Sequence, residues 1–139
     1  MFRILGAVLV AAGLVFVPST AGATPSSGVT GVIIAQKTVG ETDYVVRRIT
    51  IAPGGYTGWH FHDGTLYAYV RQGTLTRTMA DCVTTEVSPA GSTIVEHPVH
   101  VHIGRNLGAT PVVLDVLYVL PAGSPLSQDA PDPGCDNQG

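Results

Sequence analysis

Residues 55–73 have the sequence GYTGWHFHDGTLYAYVRQG, the stretch that most strongly indicates the fold of this 139-residue chain. Aromatic and β-branched residues fill it between glycines, as in short β-strands separated by turns. Side chains two residues apart point to the same face of a strand. His60 and His62 can therefore direct their imidazoles to one point.

A second histidine cluster lies in residues 91–106, GSTIVEHPVHVHIGRN. His100 and His102 have the same two-residue spacing, and with His97 they complete the five histidines of the chain. One such pair is weak evidence, because alternating polar residues on a solvated strand look the same. Two clusters that hold every histidine favour a site for Zn, Fe, Ni or Cu, the divalent metals that neutral imidazole binds well.

The two segments resemble the two sequence motifs of the cupin superfamily. The first motif has a glycine, an HxH pair, a glutamate a few residues on and a closing glycine. The second has a leading glycine, a histidine matched by His102 and an asparagine matched by Asn106. The likeness covers about residues 49–120 and narrows to the small exported single-domain cupins of actinobacteria. It implies an all-β fold, a double-stranded β-helix or RmlC-like jelly-roll barrel, with the metal inside near one end.

The resemblance implies that His60, His62 and His102 bind a divalent metal ion. The ligating glutamate of the first motif is missing, because this chain has Leu66 or Tyr67 at that point, depending on the gap counted. Leucine cannot coordinate a metal, and a neutral phenol is a poor ligand. Loss of that negative charge favours Zn²⁺, Cu²⁺, Ni²⁺ or Fe²⁺ over the harder Mn²⁺.

Two residues are candidates for the fourth ligand. His100 shares a predicted strand face with His102, and Asp63 adjoins the HxH pair as a weaker alternative. The Pro-x-Gly of the second motif is also changed, and residues 97–99 are His-Pro-Val. The residues expected to line the pocket or to orient the ligands are Tyr67, His97 and Asn106.

Outside the two motifs, short runs of β-branched and aromatic residues alternate with turn signals such as Pro53-Gly54-Gly55. The runs are evenly spaced and show no 3.6-residue periodicity, which is typical of a sandwich or barrel. Nine strands are expected, at residues 32–39, 44–52, 56–62, 65–71, 74–79, 83–87, 92–96, 99–103 and 111–120.

The last predicted strand, 111–120, is apolar on both faces except for Asp115, so both faces are expected to be covered. One face would point to the barrel interior. The other would contact a second sheet, an N-terminal segment or a partner subunit. Small cupins often pair, and the resemblance therefore implies a homodimer formed by sheet-to-sheet contact.

Composition excludes two classes of protein. The chain is 45% hydrophobic and 12% charged, with a formal net charge of −3, which is too apolar and too weakly charged for a disordered chain. Seven Lys and Arg against ten Asp and Glu offer no phosphate-binding patch, so no nucleic-acid partner is expected.

The N-terminus predicts export. A short cationic start and the apolar run 4–17 lead to an Ala-x-Ala site at Ala23, which is typical of a cleavable secretory signal peptide. The run is shorter than the about 20 residues of a spanning helix, so no membrane anchor is expected after cleavage. A core or amphipathic helix is the alternative. We expect a signal peptide at 1–23, a flexible lead-in at 24–30, the cupin barrel at 31–120 and a Pro/Gly-rich tail at 121–139.

The chain has two cysteines, Cys82 and Cys135. In an oxidising compartment, an even pair without CxxC spacing predicts a structural disulfide. The bridge would tie the tail to a turn in the middle of the domain. Two free thiols are the alternative.

The site is compatible with three functions. The first is a secreted metal-binding cupin that acts on a small molecule, by oxygenase or other metal-assisted chemistry. The second is a non-catalytic module that binds a metal or a small ligand, and the third is a structural barrel without metal. No Ser/His/Asp or Cys/His nucleophile pattern is present, so no catalytic residue is assigned. The carboxylates near the motifs are Asp63, Glu96 and Asp115.

Overall fold

The computed structural model describes residues 24–135, so the predicted signal peptide lies outside the described residues. Within this range the chain forms ten β-strands, and no helix is long and apolar enough to cross a bilayer. The strands are β1 (Ser27–Val39), β2 (Thr42–Tyr56), β3 (His60–Phe61), β4 (Thr65–Gln72), β5 (Thr74–Met79), β6 (Thr85–Pro89), β7 (Thr93–Glu96), β8 (His102–Arg105), β9 (Val112–Pro121) and β10 (Gln128–Asp129).

The strands form a nearly closed antiparallel barrel, which confirms the predicted all-β jelly roll. The hydrogen-bonded order is β10-β3-β8-β2-β9-β4-β7, while β1 pairs with β2 and β5 pairs with both β6 and β8. The longest non-sequential pairing joins β2 to β9 without a bulge. This register sets which residues of β2 and β9 face the interior together.

Alternate residues of the central strands fill the barrel interior. On β9, every second residue from Val112 to Leu120 is buried, and the neighbouring strands add Ile51 and Val70 to the same core. The predicted inward face of the last strand is therefore present. The other face of β9 is only half-buried in the single chain, so its predicted cover is incomplete.

The N-terminal lead-in is shorter than predicted. β1 begins at Ser27, which pairs with Tyr56, and it continues to pair with β2 as far as Val39, its last residue. The hydroxyl of Thr24 accepts a hydrogen bond of 2.6 Å from the backbone N–H of Trp59. The residues predicted to be flexible are thus partly a strand and partly attached to the barrel.

The strand predicted at 56–62 is interrupted at Gly58. This glycine has a φ of +74°, and a Cβ built on it would lie 2.2 Å from the carbonyl oxygen of Thr24. Both the left-handed backbone and the close approach require glycine. The strand is therefore reduced to the two residues of β3, and His62 lies in the loop just after it.

The C-terminal tail packs against the barrel around a second small core, formed by Trp59, Ile103, Ala130 and Cys135. β10 pairs with β3, which attaches the tail to the strand that carries His60. The predicted disulfide between Cys82 and Cys135 is present, with Cα atoms 5.2 Å apart. Backbone pairing, apolar contacts and a covalent bond together hold the tail in place.

Replacing both cysteines with serine should lower the free energy of unfolding by about 2–4 kcal/mol, since the bridge closes a long loop in the unfolded chain. Guanidinium denaturation followed by fluorescence measures this change at Trp59, the only tryptophan. Dithiothreitol should destabilise the wild type to the same extent and leave the double variant unchanged. If dithiothreitol left the free energy of unfolding of the wild type unchanged, this role for the disulfide would be contradicted.

Candidate metal centre

Three of the five histidines meet in the barrel. His60 and His102 are direct cross-strand partners on β3 and β8, and His62 follows immediately after β3. The ring centroid of His60 lies 4.3 Å from that of His102 and 4.9 Å from that of His62. One ring nitrogen of each residue lies within 4.8 Å of the other two. These three nitrogens are therefore placed to share one ion.

A backbone carbonyl orients each imidazole. The Nδ1 atoms of the three histidines, taken in chain order, lie 3.0, 2.7 and 2.8 Å from the carbonyl oxygens of Gly58, Leu126 and His100. A carbonyl oxygen can only accept, so each Nδ1 carries a ring proton, and Nε2 is the nitrogen left to bind a metal. Metal-binding histidines are commonly held by their surroundings in this way.

His62 and His102 are buried, each 3% exposed, whereas His60 is half-buried. Burial, followed by the neighbouring His102, lowers the pKa of His60 to about 4. His60 is therefore neutral at neutral pH, as a metal ligand must be. The Nε2 atom of His62 is buried and makes no well-directed hydrogen bond with the described residues. Because buried polar atoms are nearly always paired, a cation at this nitrogen would fit, and the residues present fit a divalent metal.

A carboxylate that is absent from the predicted ligand set lies beside the imidazoles. Glu96, the last residue of β7, places Oε2 3.2 Å from Nε2 of His62 and Oε1 3.2 Å from Nε2 of His102. Two ligand atoms that each lie about 2.0–2.2 Å from one ion are separated by about 3 Å, so this spacing suits a fourth ligand. Burial acts to raise the pKa of Glu96, but the two imidazoles hold that pKa well below its ordinary value. The carboxyl group is therefore ionised.

Glu96 lies directly across from Leu66, one of the two positions at which the motif glutamate was expected. The two residues are cross-strand partners on β4 and β7, so the carboxylate enters from the neighbouring strand. Leu66 is 2% exposed and lines the barrel interior, whereas Tyr67 points outward because strand residues alternate.

Arg77 holds the carboxylate of Glu96. Its Nη1 donates a hydrogen bond of 2.9 Å to Oε1 of Glu96, and its Nη2 pairs with Glu86. Arg77 is 5% exposed and comes from β5, on the same inward face as Leu75. Because Arg77 occupies Oε1, Oε2 is the oxygen directed at His62.

Three cavities adjoin the imidazoles, and the third is the one that His97 and His100 line with His102. One of about 50 Å³ lies inside the barrel between the histidines, Glu96 and aliphatic side chains, and it has room for one or two waters at about 30 Å³ each. A larger cavity of about 450 Å³ is lined by His60 and His62 together with Tyr118 and Arg47. Its volume lies within the range of small-molecule pockets, about 300–1,000 Å³.

His100 is not placed as a fourth ligand. It precedes β8, after a turn in which Val99 has a φ of +59°, so it does not share a strand face with His102. Its exposed ring instead contacts that of His97, with centroids 5.8 Å apart. Both line a cavity of about 220 Å³ that also borders Glu96. His97 is exposed and lies outside the cluster.

Three other candidates do not join the cluster. Tyr67 is 50% exposed and points away from the pocket in which it was expected. Asp63 accepts hydrogen bonds from the side-chain amide of Gln128, which joins the tail to the loop after β3. Asn106 is buried and makes its hydrogen bonds to backbone groups of β2 and of the following loop.

The sequence holds one indication of the ion pair between Arg77 and Glu96, which was not predicted. It is the alternation of side chains along β5. Arg77 lies two residues after the buried Leu75, at a position that alternation predicts to point inward. A buried arginine requires a carboxylate partner, and Glu96 lies inside the second histidine segment. The sequence alone does not show which strand brings the two together.

The profile of the Cupin domain family matches residues 47–120, and comparison with curated proteins gives no significant match. Among solved structures, the chain is similar to the polyketide cyclase RemF from Streptomyces resistomycificus, with a TM-score of 0.60 at 19% identity over 79% of each chain. It is also similar to KdgF from Halomonas sp., with a TM-score of 0.54 at 19% identity over 65% of this chain and 77% of that one. A cupin 2 domain-containing protein from Halorhodospira halophila gives a TM-score of 0.59 at 17% identity, over 74% and 70% of the two chains.

At these identities the structural similarity shows the fold alone. The family profile covers both histidine segments and most of the barrel. The chain therefore belongs to the cupin domain family.

Proposed function

We propose that this protein is an exported cupin that binds one divalent metal ion and uses it to hold a small organic molecule. The ligands are His60, His62 and His102, with Glu96 as the fourth. The convergence of one ring nitrogen from each histidine within 4.8 Å, with every Nδ1 on a backbone carbonyl, carries the proposal. A divalent cation bound between these nitrogens and the carboxylate that lies 3.2 Å from His62 and His102 would interact favourably with all of them.

A divalent ion bound here would supply Lewis acidity and, if redox-active, activation of dioxygen. The chain's own residues position the ligand and control its surroundings. Aliphatic side chains close the barrel on one side of the imidazoles, and Arg77 keeps the carboxylate of Glu96 in place. The cavity of about 450 Å³ beside His60 and His62 favours a small-molecule function over a purely structural barrel.

The ligand set bears on the choice of metal. Three imidazoles favour Zn²⁺, Cu²⁺, Ni²⁺ or Fe²⁺. The second argument against Mn²⁺, loss of an acidic ligand, no longer applies, because Glu96 supplies a carboxylate. The nitrogen-rich ligand set remains the reason to expect the first four metals.

Export is part of the proposal. It is supported by the signal-peptide pattern of residues 1–23 and by the disulfide between Cys82 and Cys135. Such bonds form and persist in oxidising compartments and are rare in the cytosol.

Zinc-loaded wild-type protein should retain about one equivalent of metal per chain after gel filtration, measured by inductively coupled plasma mass spectrometry. His60→Ala and His102→Ala should each lower the zinc affinity more than about 100-fold, since even residues that only orient a ligand contribute about 10–100-fold. The matched control is the His97→Ala/His100→Ala double variant, which removes two exposed imidazoles outside the cluster and should keep its zinc. Failure of the wild type to bind metal, or equal loss in the control, would contradict the proposal.

Glu96→Gln should lower the zinc affinity by at least about 10-fold, because it removes the negative ligand while preserving its shape. The same variant loaded with Co²⁺ should show a changed visible absorption spectrum, which reports the ligand set. Glu86→Gln is the matched control, since Glu86 also pairs with Arg77 but lies at the exposed end of that contact. Unchanged affinity and spectrum in Glu96→Gln would leave the three histidines as ligands and exclude the glutamate.

We further propose a homodimer formed by the outward face of the sheet β2-β9-β4-β7. That face exposes the apolar and aromatic side chains of Tyr44, Tyr67, Tyr69 and Val95. Contiguous exposed apolar surface of this kind marks an interaction site.

Light scattering during size-exclusion chromatography should therefore give twice the chain mass. Tyr67→Glu and Tyr69→Glu should shift the protein to the monomer, because each buries a charge in the interface. Val83→Glu, at an exposed loop position elsewhere, should remain dimeric. A monomeric wild type would refute the proposal.

A further inference from the structure

A charged residue, Arg47, lies in the middle of the inward face of β2. Val45, Ile49 and Ile51 alternate with it on that face and belong to the barrel core or pack against it. The cross-strand partner of Arg47 on β9 is Val116, which is 3% exposed. Arg47 is half-buried, so its guanidinium is partly removed from water, which favours a compensating interaction at this position.

The backbone of β1 leaves room for this guanidinium. A Cβ built on Gly31 would lie 2.2 Å from Nε and Nη2 of Arg47 and 2.4 Å from its Cζ, so the guanidinium lies directly over the glycine. Gly31 does not have a left-handed φ. Its lack of a side chain is therefore explained by the space that Arg47 occupies, not by the backbone conformation.

Arg47 faces the cavity beside the candidate metal centre. It lines the cavity of about 450 Å³ together with His60, His62 and Tyr118, and its positive charge acts to lower the pKa of Tyr118 against the larger effect of burial, which raises it. The ring of Tyr118 lies 5.9 Å from that of His62, centroid to centroid. A guanidinium, a phenol and a candidate metal ligand thus follow one another along a single wall.

Arg47 forms no ion pair with any carboxylate of residues 24–135. Other arginines do have such partners. Arg48 and Arg71 share Asp115, and Arg77 is paired with two glutamates. The positive charge of Arg47 is therefore available to a ligand in the cavity.

We propose that Arg47 binds the carboxylate of a small organic acid that occupies this cavity with its other end toward the imidazoles. A guanidinium offers parallel N–H donors that match the two oxygens of a carboxylate. The apolar side chains of Val29 and Ile49 suit a hydrophobic body, and Asp129 on the same wall disfavours a second acidic group. The ligand class is thus a monocarboxylate. Only the placement of the ligand's other end at the imidazoles rests on the proposed function.

The inference is tested with benzoate, 4-hydroxybenzoate and hexanoate, each compared with its uncharged amide by isothermal titration calorimetry on the zinc-loaded protein. At least one acid should bind about tenfold or more tightly than its amide, since charge-assisted hydrogen bonds are about twice as strong as neutral ones. Arg47→Gln should abolish this preference. Gly31→Ala keeps the arginine but displaces its guanidinium, and it should weaken binding of the acid while leaving that of the amide unchanged.

Arg48→Gln is the matched control, because it removes the same charge from the adjacent exposed position on the other face of β2 and should leave the preference intact. Repeating the titrations on His102→Ala separates this inference from the metal proposal. A preference that Arg47→Gln leaves unchanged and His102→Ala removes would belong to the metal and overturn the inference. The inference would also be overturned if acids and amides bound equally well, or if no acid and no amide of the three pairs bound.

Discussion

The hydrogen bond from Nδ1 of each clustered histidine to a backbone carbonyl determines what this site can bind. The three carbonyls come from separate parts of the chain, before β3, before β8 and in the C-terminal tail, and they fix three tautomers at once. Rotating one ring would break its hydrogen bond, at a cost of about 0.5–1.5 kcal/mol. The orientation of the imidazoles is therefore a property of the folded backbone, and a ligand meets a site that is already organised.

The carbonyl that orients His62 belongs to Leu126, so the tail is part of the site. Near this contact, the N–H of Ala130 donates to the carbonyl of Trp59, and the disulfide fixes Cys135 in the same small core. The acceptor of His60, by contrast, lies two residues away on its own strand segment. A covalent bond on the outside of the barrel thus supports the one imidazole whose orientation depends on a distant segment.

Local patterns were sufficient to predict an all-β sandwich or barrel and the disulfide, whereas the jelly roll and the choice of His60, His62 and His102 came from the resemblance to the cupin motifs. Cross-strand register is not local, and nothing in the sequence states that Glu96 lies opposite Leu66. The two-residue rule failed for His100 because it holds only within a strand. Val99 has a left-handed φ at the position where the family motif has glycine, and this turn delays β8 until His102.

The charges around the site argue for an anionic ligand. Arg77 lies between Glu86 and Glu96, so these three residues together contribute one negative charge beside the imidazoles. A divalent cation would leave one positive charge at the imidazoles, and the adjoining cavity adds Arg47 and Asp129, whose charges are opposite. The ion and the cavity together would therefore keep a net positive charge, which is costly where it is removed from water. A carboxylate between the ion and the guanidinium would reduce that excess, so an organic acid should be a better ligand than a neutral molecule of the same shape.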